Sequence, residues 1–235
     1  MKKLIVGIIL LCSINLYADF AAGIYEYNEK NYEDAMVLWD EACNAGDIKS
    51  CHNLGLMLYS GKNVKQDYQK AMKSFSKSCK KGVDSSCYNI AIMYLRGYGV
   101  KQDYKLGIDF YDKACNAGNS ESCYNLGNIY KDGQVVTQNF QKSKEYFIKS
   151  CTTDNMSACY ELGNMYVKGQ KEYIQAKEMF QKACDGGLNY GCYNLGVLYL
   201  EGNGVKQNKI KAKQLFKKAC DGRISTACKN YKELK

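Results

Sequence analysis

Ala114 to Gly127 reads ACNAGNSESCYNLG, two cysteines with seven residues between them. The unit occurs six times, as Cys43/Cys51, Cys79/Cys87, Cys115/Cys123, Cys151/Cys159, Cys184/Cys192 and Cys220/Cys228. The first cysteines recur every 36 residues, apart from one 33-residue step between Cys151 and Cys184. A fixed period of this length marks stacked supersecondary units. In one continuous helix, residues eight apart lie about 12 Å apart along the axis, whereas a disulfide needs Cα atoms roughly 4.4–6.8 Å apart. Each pair can bond only if the chain reverses between its members. A glycine-containing turn (NAG, KKG or DGG) stands there to reverse it. The expected product is a staple joining two antiparallel helices just below their turn.

The segments on either side read as those helices. Ala35, Leu38, Trp39 and Ala42 fall at i, i+3, i+4 and i+7, one helical face. An aromatic stands four residues before every first cysteine: Trp39, Phe75, Tyr111, Phe147, Phe180 and Phe216. Asn31, Asp67, Asp103, Asn139 and Asn208 share one position at the start of this helix and are expected to cap it. Glu172 takes that place in the shortened unit. After the second cysteine a second helix carries Gly55, Ala91, Gly127, Gly163 and Gly196 at +4, small residues that let neighbouring helices approach closely. It should end at Gly61, Gly97, Gly133, Gly169 and Gly202. Residues 20–29 form a short helix candidate without cysteine, and 224–234 one more helix suited to capping the open end. The fold class expected is all-α, a solenoid of helix pairs with one disulfide per pair. No strand pattern and no low-complexity linker competes, and proline is absent.

Residues 1–18 read as a secretory signal peptide, leaving 19–235 as a single repeat array. Lys2 and Lys3 give the positive start, Leu4 to Leu11 the apolar stretch, and Ala18 the end of the cleavage site. That stretch is short for a bilayer span, so no membrane span is expected in the mature chain. Cys12 leaves with the leader, and of 13 cysteines twelve remain. An even number in a secreted or periplasmic chain is what a disulfide framework requires. The formal charge of +9 becomes +7 without Lys2 and Lys3, with charges scattered singly. That pattern argues against nucleic acid as a partner. Structural zinc wants closely spaced Cys or His ligands, but the pairs here are too far apart and His52 is the one histidine. No metal and no cofactor is expected, and C-x-x-C redox chemistry is excluded by spacing.

The pattern A-C-N-A-G-x-x-x-S-C-Y-N-L-G, followed by Y-x-x-G-x-G-V-x-x-D-x-x-K-A, resembles Sel-like repeats, relatives of the tetratricopeptide repeat. With its paired cysteines the chain looks like the secreted Helicobacter cysteine-rich protein family over nearly all of 20–234. That resemblance implies a right-handed superhelix with one disulfide per helix pair. It also implies a β-lactamase or penicillin-binding hydrolase activity, with a β-lactam or cell-wall peptide as ligand.

The residues give that activity little support. Serine β-lactamases use S-x-x-K with S-D-N and K-T-G, and the last two motifs do not occur. S-x-x-K occurs as Ser74/Lys77 and Ser78/Lys81. Ser74 stands where other units have Leu38, Phe110, Met179 and Leu215, a core-facing place. Lys77 belongs to a ladder with Lys113, Lys149, Lys182 and Lys218 that reads as a solvated face. No catalytic residue is assigned. His52 occupies the place of Tyr88, Tyr124, Tyr160 and Tyr193 and reads as a substituted repeat position.

The function expected is a secreted or periplasmic scaffold that binds a peptide or protein segment on its concave face, with the hydrolase as the alternative. Counting from the second cysteine at 100° per residue, +2 falls opposite the apolar positions 0, +3, +4 and +7. There stand Asn53, Asn89, Asn125 and Asn194, with Glu161 as the exception. At +5 follow Leu56, Ile92, Asn128, Asn164 and Val197, and at +9 Ser60, Arg96, Asp132, Lys168 and Glu201. The resemblance to tetratricopeptide-like solenoids implies that this face is the concave one. An amide offers donors and an acceptor to a peptide backbone of any sequence. Asn53, Asn89, Asn125, Asn128, Asn164 and Asn194 are the ligand-binding candidates, and the partner expected is a peptide or protein segment. The competing role for these amides is bonding between repeats.

Overall fold

The computed structural model describes residues 20–169 and 172–234. The segment 1–18, read above as a leader, lies outside them. All regular structure among the described residues is helical. The helices are α1 (20–28), α2 (Tyr32–Ala45), α3 (Ile48–Ser60), α4 (Tyr68–Lys80), α5 (Asp84–Arg96), α6 (Tyr104–Asn116), α7 (Ser120–Asp132), α8 (Phe140–Thr152), α9 (Met156–Lys168), α10 (Tyr173–Asp185), α11 (Asn189–Glu201), α12 (Lys209–Asp221) and α13 (Ser225–Glu233). They divide into two compact units, with the boundary between Asn119 and Ser120. No described helix is long and apolar enough to cross a membrane.

In the first unit, even-numbered helices carry the first cysteine and odd-numbered helices the second. Cys43–Cys51 and Cys79–Cys87 are bonded, with Cα atoms 4.6 and 4.9 Å apart. The chain therefore does reverse inside each pair. Trp39 and Phe75 are buried at the helix–helix contacts. Each lies against a glycine of the preceding odd helix. A Cβ on Gly23 would run into the Trp39 indole, and one on Gly55 would come within 2.6 Å of the Phe75 ring. Gly23 thus gives α1 the same job as α3, and the cysteine-free segment at 20–28 is the first helix of the stack. Tyr111 is buried at the corresponding place on α6.

The second unit repeats the construction. Cys151–Cys159, Cys184–Cys192 and Cys220–Cys228 are bonded at Cα separations of 4.8, 4.5 and 4.6 Å. Cys123 of this unit and Cys115 of the first are each disulfide-bonded as well. Phe147, Phe180 and Phe216 are buried, and a Cβ on Gly127, Gly163 or Gly196 would fall within 2.5–2.8 Å of those rings. The turns that lack the usual glycine still take its conformation: Asp154 has φ 62° and Arg223 φ 67°.

The caps follow the sequence reading with one correction. The side chains of Asp67, Asp103, Asn139 and Asn208 accept from the backbone N–H three residues on. Asn31 does not: its amide donates to Glu26 at 2.7 Å instead, and α2 starts without a side-chain cap. Gly61, Gly97, Gly133 and Gly202 adopt positive φ, whereas Gly169 has φ −76°. Gln66, Gln102, Gln138 and Gln207 supply a second device. Their side-chain amides donate, at 2.7–2.9 Å, to the carbonyls of Tyr59, Leu95, Lys131 and Leu200 at the ends of the odd helices. Those carbonyls have no partner inside the helix.

The lysine ladder is not simply a solvated face. Lys182 donates to the Cys151 carbonyl at 2.7 Å, and Lys218 to the Cys184 carbonyl at 3.0 Å. Lys77 reaches Asn44 Oδ1 at 2.8 Å. Each ammonium thus stands at the C-terminal end of the preceding even helix, where cations are favoured by about 0.3–1 kcal/mol.

Candidate binding face

The +2, +5 and +9 positions come from the odd helices, which the bridges hold in register. In the first unit they are Asn53, Leu56 and Ser60 on α3, with Asn89, Ile92 and Arg96 on α5. Asn53 and Asn89 are half-buried. Among the described residues neither has a hydrogen-bond partner, so their amides are presented to whatever lies over the face. Leu56 is 41% exposed for a residue without any polar group. Asn53, Leu56 and Ser60 line a pocket of about 280 Å³ together with Ile24, Tyr27 and Trp39. Helix α1 supplies one wall, so the cysteine-free segment 20–28 helps to build the site.

The second unit arranges the same positions differently. Asn194 donates through Nδ2 to Asn164 Oδ1 at 3.0 Å, which ties +2 of α11 to +5 of α9. Lys131 on α7 pairs with Glu161 at 3.0 Å, both side chains about a quarter exposed. These links between successive helix pairs are the structural role weighed against ligand binding. Asn125 is also engaged, and Asn128 is half-buried. A pocket of about 570 Å³ lies beside the Lys131–Glu161 pair, reached by Phe140, Lys144, Asn164 and Lys168. Lys144 sits 3.8 Å from Glu172 and over the Tyr166 ring at 4.2 Å. The face is therefore open in the first unit and largely knitted together in the second.

Neither S-x-x-K match builds an activated nucleophile. Ser78 is fully buried, with its Oγ donating to Ser86 Oγ at 2.6 Å. Ser74 is recessed, and Lys77 is engaged by Asn44.

His52 is part of a polar chain that the sequence did not reveal. Ser78 donates to Ser86, which lies 2.7 Å from His52 Nδ1. Ser86 can then donate onward to a neutral imidazole. Burial holds His52 below its ordinary pKa, and the nearby Asp84 carboxylate opposes that shift. The imidazole of the unfolded chain takes up its proton near pH 6.5, before that of the folded chain. Stability is therefore complete above that pH and falls as the pH drops through 6.5 towards the lower folded value. In His52→Tyr, the fall in melting temperature between about pH 7.5 and about pH 5.5 is expected to be smaller than in the native chain. Equal slopes would remove the histidine from the pH response.

The chain belongs to the Sel1 repeat family, whose pattern matches residues 21–47, 48–83, 84–119, 120–152, 157–188 and 189–223. Sel1 repeats generally mediate protein–protein interaction. Each boundary between matched repeats falls inside a cysteine pair. Cys43–Cys51, Cys79–Cys87, Cys151–Cys159 and Cys184–Cys192 thus join the second helix of one repeat to the first helix of the next, and Cys220–Cys228 joins the last matched repeat to α13. Among solved structures the chain is similar to a protective antigen of uropathogenic Escherichia coli strains displaying an SLR fold, at TM-score 0.82 and 26% identity. That match covers 90% of this chain and 47% of the antigen, so the chain spans about half the length of that relative. It is similar to a Sel1 repeat protein of Oxalobacter formigenes at TM-score 0.73 and 21% identity, over 88% of this chain and 86% of the other. It is also similar to cysteine rich protein B of Helicobacter pylori at 32% identity and TM-score 0.43, over 55% of this chain and 95% of the other. No curated protein matches the sequence.

Proposed function

We propose that this chain is an extracytoplasmic scaffold that holds an extended protein segment along the odd-helix face, with the first unit carrying the open part of the site. The observation that carries the reading is the pair of half-buried, unpartnered amides, Asn53 and Asn89, beside Leu56 and Ile92. Side-chain amides can pair with the donors and acceptors of a bound backbone, while the aliphatic residues between them take alternate side chains. The disulfides support a location outside the cytosol, since such bonds persist in oxidising compartments. The leader read over 1–18 fits the same location, either periplasmic or secreted.

The test uses peptides selected from a displayed random library on the native protein. Asn53→Ala combined with Asn89→Ala is expected to weaken their binding at least tenfold, about 1.4 kcal/mol. The melting temperature should stay almost unmoved, because neither amide bonds a neighbouring repeat. A large drop in melting temperature with binding intact would make the two residues structural and place the site elsewhere. Turnover of a chromogenic β-lactam that disappears in Ser74→Ala would favour a hydrolase over a scaffold.

A further inference from the structure

The position five residues before each first cysteine carries a large side chain in every unit but one. Leu38, Phe110, Tyr146, Met179 and Leu215 stand there, all half-buried. The exception is Ser74. Its side chain is too short to cover what the others cover. At this point a groove of about 330 Å³ opens between α2 and α4, with Ser74 recessed at 6% exposure. Met36 lines it, and beneath lie Leu54 and Leu58 of α3, core leucines reached from the surface.

The two walls carry opposite charge. Helix α4 contributes Lys70, Lys73 and Lys77, and α2 contributes Asp40 and Glu41. Lys77 is held by Asn44. Lys70, Lys73, Asp40 and Glu41 are exposed, with no ion pair among the described residues.

We propose that this groove is a second docking site, which takes a leucine- or phenylalanine-sized side chain from a partner protein segment. The incoming side chain supplies what Ser74 lacks, on a floor that the other units cover with a side chain of their own. The opposed walls set the direction of the segment, its acidic flank over Lys70 and Lys73 and its basic flank over Asp40 and Glu41. A pocket of this size sits at the lower end of the range of about 300–1,000 Å³ for small-ligand sites, room for one anchor and its immediate neighbours. The site lies on the even helices and does not depend on the Asn53–Asn89 face.

Ser74→Leu restores the side chain found at Leu38 and Leu215 and is expected to raise the melting temperature by several degrees, as cavity-filling changes do. Random peptides displayed on phage would then be selected on the native full chain and counter-selected on the Ser74→Leu chain. The expected survivors share one leucine or phenylalanine with an acidic residue on one side. Their synthetic versions should bind Ser74→Leu and Lys73→Glu at least tenfold more weakly, and Asn53→Ala/Asn89→Ala unchanged. A lower melting temperature for Ser74→Leu would show that the groove is already filled and overturn the proposal. So would a selection yielding no peptide whose affinity depends on Ser74. Peptides lost only in the Asn53/Asn89 variant would leave the odd-helix face as the binding site and refute the groove.

Discussion

Replacing Cys151 and Cys159 together by alanine is expected to lower stability by about 2.5 kcal/mol, the loop-closure entropy of a nine-residue ring. Alanine keeps the two buried positions apolar, so the measured loss reports mainly the lost bridge. The effect should also be local. Each repeat touches mainly its neighbours, so a stack opens where a contact is weakest. This bridge joins α8 to α9, the last helix of one Sel1 repeat to the first of the next. Hydrogen exchange should therefore accelerate first between Phe140 and Lys168. Denaturant titration supplies the magnitude and exchange mass spectrometry the location. Protection that remains unchanged in this window would mean that helix packing alone holds the junction, and that the bridge has no stapling role there.

The covalent framework was legible because it follows from a local rule. Two cysteines eight residues apart cannot bond along a helix, so their repetition demanded six reversals. In five of the bridges the Cα atoms stand 4.5–4.9 Å apart. The caps of α4, α6, α8 and α12 were legible for the same reason, since Asp or Asn and the N–H it serves lie three residues apart. Interactions across repeats were not. The partner of Lys182 is a carbonyl 31 residues earlier, and nothing near Lys182 in the sequence marks it. Lysine at a repeated exposed position then looks like solubility alone.

The role of α1 was hidden by loop length. Gly23 precedes Trp39 by 16 residues, whereas Gly55 precedes Phe75 by 20. The eye aligned on cysteines misses the match, and with it the true phase of the repeat. The candidate face was half legible. Helical geometry put the asparagines together on one side, but whether each amide is free depends on partners supplied by other helices, which the spacing does not show. Leu56 cannot engage Asn89, while Asn164 does engage Asn194. That difference is part of what separates the open first unit from the knitted second one.

Gly127→Ala is expected to cost about 1–3 kcal/mol, although alanine is the better helix former by up to about 1 kcal/mol. The reason is the Phe147 ring. A Cβ at Gly127 would stand 2.5 Å from its Cε1, far inside contact distance, and Phe147 is completely buried with nowhere to retreat. Truncating the ring altogether, as in Phe147→Ala, should cost about 3–5 kcal/mol, the transfer term plus the cavity left behind. The two residues should also be coupled. Phe147→Leu shortens the side chain that faces α7, so Gly127→Ala made in that background has room for its methyl group. The double variant is then expected to be more stable than the sum of the single losses predicts, by at least about 1 kcal/mol, as is usual for residues in direct contact. Chemical denaturation of the four proteins closes the cycle. Strict additivity would show that the loss in Gly127→Ala does not come from the ring, and that the small residue at +4 serves something other than the approach of α7 to α8.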